Sequence, residues 1–215
     1  MEKETKIINW EQDFFAHHRK VSTVNRLKFV SDRVPYTPLR GRCSNVIVLN
    51  VHASSEEKSD DSNDSLYGKL EQVFFYNFPK YQLKILLEDF NAEVGRENIF
   101  KPTIGNESLH QDSKDNGVRI VNFATLKNLV VQSTMYPHRD VHKYNWTSPD
   151  GKIHNQIDHI LIDRILYSSI LEVRSFSRAD CVTDHYLVVA KVRERLAVSK
   201  KKQRSLMGKD LISGS

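Results

Sequence analysis

The sequence predicts a single α/β domain built on buried β-strands. Three observations lead there. Short β-branched, apolar runs recur at 46–51, 84–87, 129–131, 157–162, 171–176 and 186–192, and most have the composition of strands covered on both faces. Two stretches between them, 66–74 and 116–127, carry apolar residues at helical spacing. The chain has 215 residues, enough for one domain with a core of its own.

In chain order, residues 1–13 read as an irregular N-terminus, 14–198 as the domain, and 199–215 as a basic tail predicted to be disordered. Phe29, Val30 and Val34 suggest short strands, with turns at Pro35 and Pro38. Val46 to Val51 is nearly all apolar. The loop 54–64 is a solvated, charged segment ending in N-cap candidates Asp64 and Ser65. Leu66, Leu70, Val73 and Phe74 keep helical spacing until Pro79 stops the helix. The run 84–87 leads into Glu88, Asp89, Phe90 and Asn91. The helix at 116–127 sets Val118, Val121, Asn122 and Leu126 on one side. Residues 171–176 alternate polar and apolar, and the tail carries Lys200, Lys201, Lys202 and Arg204.

Composition excludes several classes of protein. Hydrophobic residues make up 39% and charged residues 27%, which excludes a disordered chain. No run reaches the roughly 18 apolar residues of a membrane helix, and the start of the chain lacks the apolar segment of a secretory signal. No membrane partner is expected. Two cysteines, Cys43 and Cys181, exclude a disulfide framework or a Cys-type zinc site. A reducing nuclear or cytoplasmic compartment fits. The net charge of +5 mildly favours a polyanionic partner.

Function is written in where polar residues interrupt apolar runs. Asp89 and Asn91 follow one strand, His52 follows another, Asp158 and His159 lie in a third, and Asp184 and His185 precede a fourth. Polar groups at strand ends converge on one edge of a sheet, and a carboxylate in an apolar run is costly unless paired or metal-bound. Singly, each fits a turn or a buried structural role; together they suit phosphoester hydrolysis. Mg²⁺ prefers carboxylate oxygens and water, and an Asp–His pair can act as base and phosphate clamp. Asp89 and Asn91, two apart, are expected on one side of an extended segment.

At these residues the chain resembles the endonuclease/exonuclease/phosphatase superfamily, through Asp89-Phe90-Asn91-Ala92, Gln156-Ile157-Asp158-His159 and Thr183-Asp184-His185. The segments 47–53, 101–106, 142–151 and 155–163 are similar to endonuclease domains of RTE-type LINE retrotransposons. The resemblance spans residues 14 to 198. It implies a DNase I-like four-layer sandwich of two packed mixed β-sheets flanked by helices. It also implies nicking of DNA with Mg²⁺ (or Mn²⁺), leaving a 3′-hydroxyl. By motif, Asp89 orients or deprotonates the attacking water, and Asn91 holds the scissile phosphate. His185 contacts the phosphate and Asp158 orients His185. His52 touches the phosphate or the leaving group, and Asp184 belongs to the metal set. Trp146, Arg96 and Lys143 are expected to contact the DNA, with Lys101, Arg139 and His142 as further backbone contacts.

The resemblance has two departures. Phe14 to Arg19 matches text that in the family follows an opening strand with a functional Asn and a Gln-Glu-Thr-like metal motif. The first strands are therefore read as missing, and Glu4-Thr5-Lys6 is read as a coincidental match. Uncovered sheet surface then predicts self-association. Glu88 stands where the family has Gly. The competing expectation is a catalytically impaired remnant that binds nucleic acid or protein, or has no function. A phosphatase acting on lipid phosphates is disfavoured by the retroelement-like text.

Overall fold

The computed structural model describes residues 4–10, 13–16, 28–31, 34–39, 46–52, 67–72, 83–176 and 184–193. Its strands are β1 (Glu4–Trp10), β2 (Asp13–Ala16), β3 (Lys28–Ser31), β4 (Val34–Leu39), β5 (Val46–His52), β6 (Leu83–Asp89), β7 (Leu129–Val131), β8 (Trp146–Thr147), β9 (His154–Asn155), β10 (Asp158–Asp163), β11 (Ile170–Phe176) and β12 (Leu187–Arg193). Helix α1 covers 67–72 and α2 covers Asp115–Leu126.

The strands form a six-stranded sheet in the order β3-β4-β5-β6-β10-β7 and a four-stranded sheet in the order β11-β12-β1-β2, with β8-β9 as a small hairpin. Among the described residues only β5 and β6 are paired in parallel; the other paired strands are antiparallel. The α/β class with two packed sheets is as the sequence predicts; the six-stranded sheet is mixed, whereas the four-stranded sheet, expected to be mixed too, is antiparallel.

The apolar runs are nearly continuous because successive side chains of the six-stranded sheet meet two different cores. Val48, Ile85, Leu87, Ile160 and Ile162 pack with Val173, Val188, Ala190 and Val192 of the second sheet. Their neighbours Leu49, Leu86 and Leu161 pack with Ile120, Val121 and Phe90 on the helical side. Each fully buried side chain of this size contributes about 1.5–3 kcal/mol by leaving water. Among the described residues, helices cover only the six-stranded sheet.

Three expectations change. Residues 4–10 are a strand: β1 pairs with β12 from Glu4 opposite Arg193 to Asn9 opposite Val188, and turns back into β2. The irregular N-terminus expected for 1–13 therefore does not hold there. Helix α2 buries Asn116, Gly117, Ile120, Val121 and Ala124. Leu126 is 78% exposed, and Asn122 also faces outward. The buried face is rotated because Gly117 abuts the Glu93 carbonyl: a Cβ there would lie 2.0 Å from that oxygen. Asn91 takes φ 45°, a left-handed conformation that Asn tolerates, so Asp89 and Asn91 are not on one extended segment. The loop 54–64, its cap residues, both cysteines and the tail from 199 lie outside the described residues.

Candidate active site

The site is built where three neighbouring strands end together. Parallel register sets His52 beside Asp89, and antiparallel register sets Asp158 opposite Asp89. Asp89 ends β6, and the chain turns back so that the Asn91 N–H donates to Asp89 Oδ1 at 3.1 Å. The turn is held from α2: Asn116 Nδ2 donates to the Asn91 carbonyl at 3.3 Å, and the Lys114 N–H to the Glu93 carbonyl at 3.0 Å.

Asp158 is clamped by Asn145. Asn145 Oδ1 accepts from the N–H groups of Ile157 (2.8 Å) and Asp158 (3.1 Å), and its Nδ2 donates to the Asp158 carbonyl (2.8 Å). The Asn145 carbonyl accepts from the Tyr186 N–H at 2.7 Å, and Trp146 bridges to His185. One buried amide thus joins β10 to the segment that delivers His185. Its motif, Tyr144-Asn145-Trp146, was legible, but nothing in the sequence separated the amide from the aromatic beside it.

His185 Nδ1 lies 3.4 Å from Asp158 Oδ2. Ligand atoms of Asp89, Asp158 and His185 all lie within 4.8 Å of one another. Burial pushes the Asp158 carboxyl up to about 7; the His185 bond opposes this and the Asp89 charge adds to it. Burial alone pulls His185 down, but its bond to Asp158 and the charges of Asp158, Asp89 and Asp184 outweigh it and raise it to about 9. Between about pH 7 and 9 the pair is mainly carboxylate and imidazolium.

His159 plays a different part. Alternation turns it away from Asp158, and burial lowers it to about 4. Its ring nitrogens meet Ser133 Oγ at 2.8 Å and the Ala92 carbonyl at 2.7 Å. It ties β10 to the loop after Asp89.

The outer residues divide. Trp146 is half-buried, and its Nε1 donates to Asp184 Oδ2 at 2.8 Å. Asp184 is exposed at the rim. Arg96 Nε donates to the Ser108 carbonyl at 2.7 Å, and Lys143 is buried with Nζ 3.4 Å from Glu107 Oε2. Both heads expected to face DNA are therefore bonded within the protein. Arg139 and His142 are exposed, Lys101 is half-buried, and of His52 only the backbone placement is described.

A divalent cation fits this edge on charge: three carboxylates, Asp158, Asp89 and Asp184, act on one imidazole. An imidazolium has no lone pair for a metal, so within this cluster the Asp89 carboxylate is the group that would hold it; Asp184, expected in the metal set, lies outside the cluster with its Oδ2 bonded to Trp146. One or two carboxylates with water and substrate phosphate are what Mg²⁺ commonly takes.

The fold is DNase I-like, similar to those of solved DNA-processing nucleases. It matches the endonuclease domain of TRAS1, a telomere-specific non-LTR retrotransposon, with TM-score 0.54 and 14% identity over 77% of this chain and 65% of that one. The AP endonuclease LMAP from Leishmania major gives 0.58 and 14% over 85% and 65%. The 3′ phosphatase NExo from Neisseria, bound to product DNA hairpin, gives 0.55 and 19% over 88% and 79%. In sequence the chain is similar to craniofacial development protein 2, at 29% identity over 178 residues for Tragulus javanicus and over 174 for Bos taurus. These alignments cover 83% and 81% of this chain but only 30% and 29% of the relatives. No protein-family profile matches the chain.

Proposed function

We propose that this chain is a Mg²⁺-dependent (or Mn²⁺-dependent) phosphodiester hydrolase that nicks DNA, of the type found in non-LTR retrotransposons. The observation that carries the reading is the Asp89–Asp158–His185 cluster at the open edge of the sandwich. A bound divalent cation would neutralise charge on the phosphoryl oxygens.

In this reading Asp89 aligns the attacking water and takes its proton. The water oxygen bonds to phosphorus, and the P–O3′ bond breaks to leave a 3′-hydroxyl. The His185 imidazolium donates a hydrogen bond to a phosphoryl oxygen as charge grows there, and Asp158 keeps that ring charged and oriented. Asn91 holds a second phosphoryl oxygen, and His52, beside Asp89, serves the leaving side. Trp146, at the rim, meets the DNA. Self-association along β2, the terminal strand of its sheet among the described residues, belongs to the same proposal.

A second reading, a non-catalytic binding module, is favoured by Glu88, an acidic residue in the position before Asp89 where the resembled family has Gly. Plasmid relaxation separates the two. The hydrolase reading expects metal-dependent conversion of supercoiled to open-circle DNA, abolished by Asp89→Ala and by His185→Ala. A folded chain that never nicks refutes it.

A further inference from the structure

Ser175 is turned inward on β11 and is 2% exposed. Its Oγ has no hydrogen-bond partner among the described residues. The same holds for His138 Nε2 and for Asp158 Oδ1, the carboxylate oxygen not paired with His185. All three residues line one cavity of about 10 Å³ between the sheets. A buried polar atom left unpaired is destabilising, and here three are gathered around one space.

Three other polar walls, Gln156, Asn145 and Lys143, are already engaged. Gln156 Nε2 donates to the Ser133 carbonyl at 3.2 Å, and its Oε1 accepts from the Leu109 N–H at 3.0 Å. Asn145 is committed to the Ile157 and Asp158 backbone, and Lys143 to Glu107. An occupant must satisfy one carboxylate oxygen, one hydroxyl and one imidazole nitrogen. The carboxylate repels an anion, and the Lys143 ammonium opposes a cation. The space is the size at which a buried cavity starts to hold one water, and such waters make about three hydrogen bonds.

We propose that a single ordered water bridges Asp158 Oδ1, Ser175 Oγ and His138 Nε2. It donates to the carboxylate oxygen and exchanges hydrogen bonds with the other two. Asp158 is then held on both sides: by His185 at one oxygen and, through the water, by Ser175 and His138 at the other. Ser175 and His138 become positioning residues for the Asp158–His185 pair. That catalytic consequence rests on the hydrolase reading; the water does not.

The first test is a high-resolution crystal structure of the full chain. The expected result is a density peak within about 3.2 Å of all three atoms. The three atoms in place with no peak would overturn the proposal. The second test is stability. Ser175→Ala is expected to lower the folded-to-unfolded ratio about five- to tenfold, whereas at a dry cavity it would raise the ratio by removing an orphaned hydroxyl. Ser175→Ala and His138→Phe should couple roughly threefold, although the two side chains share no direct bond; strict additivity refutes the bridge. For the positioning role, the Nδ1–H proton resonance of His185 should move in Ser175→Ala and stay in Ile170→Val, a core change at the far end of β11. Movement in neither variant refutes positioning. A chain that holds the water but never nicks DNA sinks the hydrolase reading alone.

Discussion

Asp158 and His159 are adjacent, both are buried, and their proton equilibria oppose each other. Asp158 is 6% exposed and raised to about 7, and His159 is 1% exposed and lowered to about 4. Between about pH 4 and 6.5 the folded chain keeps a proton on Asp158 that the unfolded chain has released. Over the same range the unfolded chain carries a proton on His159 that the folded chain refuses. The two slopes cancel, since stability rises with pH only where the unfolded state binds more protons. His185, raised to about 9, adds its slope above pH 6.5 and leaves this window alone.

Removing one member exposes the other. In Asp158→Asn the His159 slope remains, and any fall of His185 once its bond to Asp158 is gone adds to it, so stability should climb by about 1.4 kcal/mol per pH unit or more from pH 4 to 6.5. The His159 part totals about 3 kcal/mol, from the gap between about 4 and the ordinary 6.5. In His159→Gln the Asp158 slope remains, and stability should fall by a similar amount as pH rises through that window. Urea melts of wild type and both variants at pH 4.5, 5.5 and 6.5 read these slopes, and comparison with wild type removes the contribution of other carboxylates. Parallel curves for the two variants would refute the assignment of a protonated Asp158 beside a neutral His159.

Three further outcomes follow from the contacts. Asn145→Ala should cost about 2–4 kcal/mol, because the Ile157 and Asp158 backbone groups lose their partner; thermal melting would show it, and a loss under 0.5 kcal/mol contradicts the clamp. Gly117→Ala should destabilise by about 1–3 kcal/mol despite alanine's better helix propensity, because its Cβ meets the Glu93 carbonyl; a stabilised variant in urea melts would show that the contact relaxes freely. Trp146→Phe removes only a rim bond to Asp184 and should leave the melting temperature within about 2 °C, while weakening binding of a DNA duplex in a fluorescence titration.

The strands were legible because their apolar runs are long enough to serve two cores. Ile85 and Leu87 face one core and Leu86 the other, so the pattern is a continuous run rather than an alternation. Polar residues stood out against it, and the fold brings Asp89, Asp158 and His185 together. The α2 face was misplaced because hydrophobicity scoring overlooks glycine: Gly117 is buried by close backbone approach, while Leu126 at the helix end points outward. Arg96 and Lys143 looked like phosphate contacts because their acceptors, the Ser108 carbonyl and Glu107, come close only through the fold. The strand 4–10 was missed because its pairing partner is β12, at the opposite end of the described chain.

The site depends on closure of the sandwich. Asp89 and Asp158 belong to the six-stranded sheet, whereas His185 arrives on the segment entering β12 of the other. The backbone bridge from Trp146 to His185 and the Tyr186–Asn145 hydrogen bond fix that approach. The core formed by Ile85, Leu87 and Ile160 with Val173, Val188 and Ala190 therefore sets the distance between imidazole and carboxylates as well as the stability. A 3.4 Å contact between His185 and Asp158 tolerates little sliding before the charge-assisted bond is lost. If it is lost, the burial that lowers an isolated histidine is no longer opposed, and the imidazole sheds its proton. Inter-sheet packing and the charge state of His185 are thus one property of the fold, so a cavity opened at Val188 should weaken the imidazolium before it unfolds the chain.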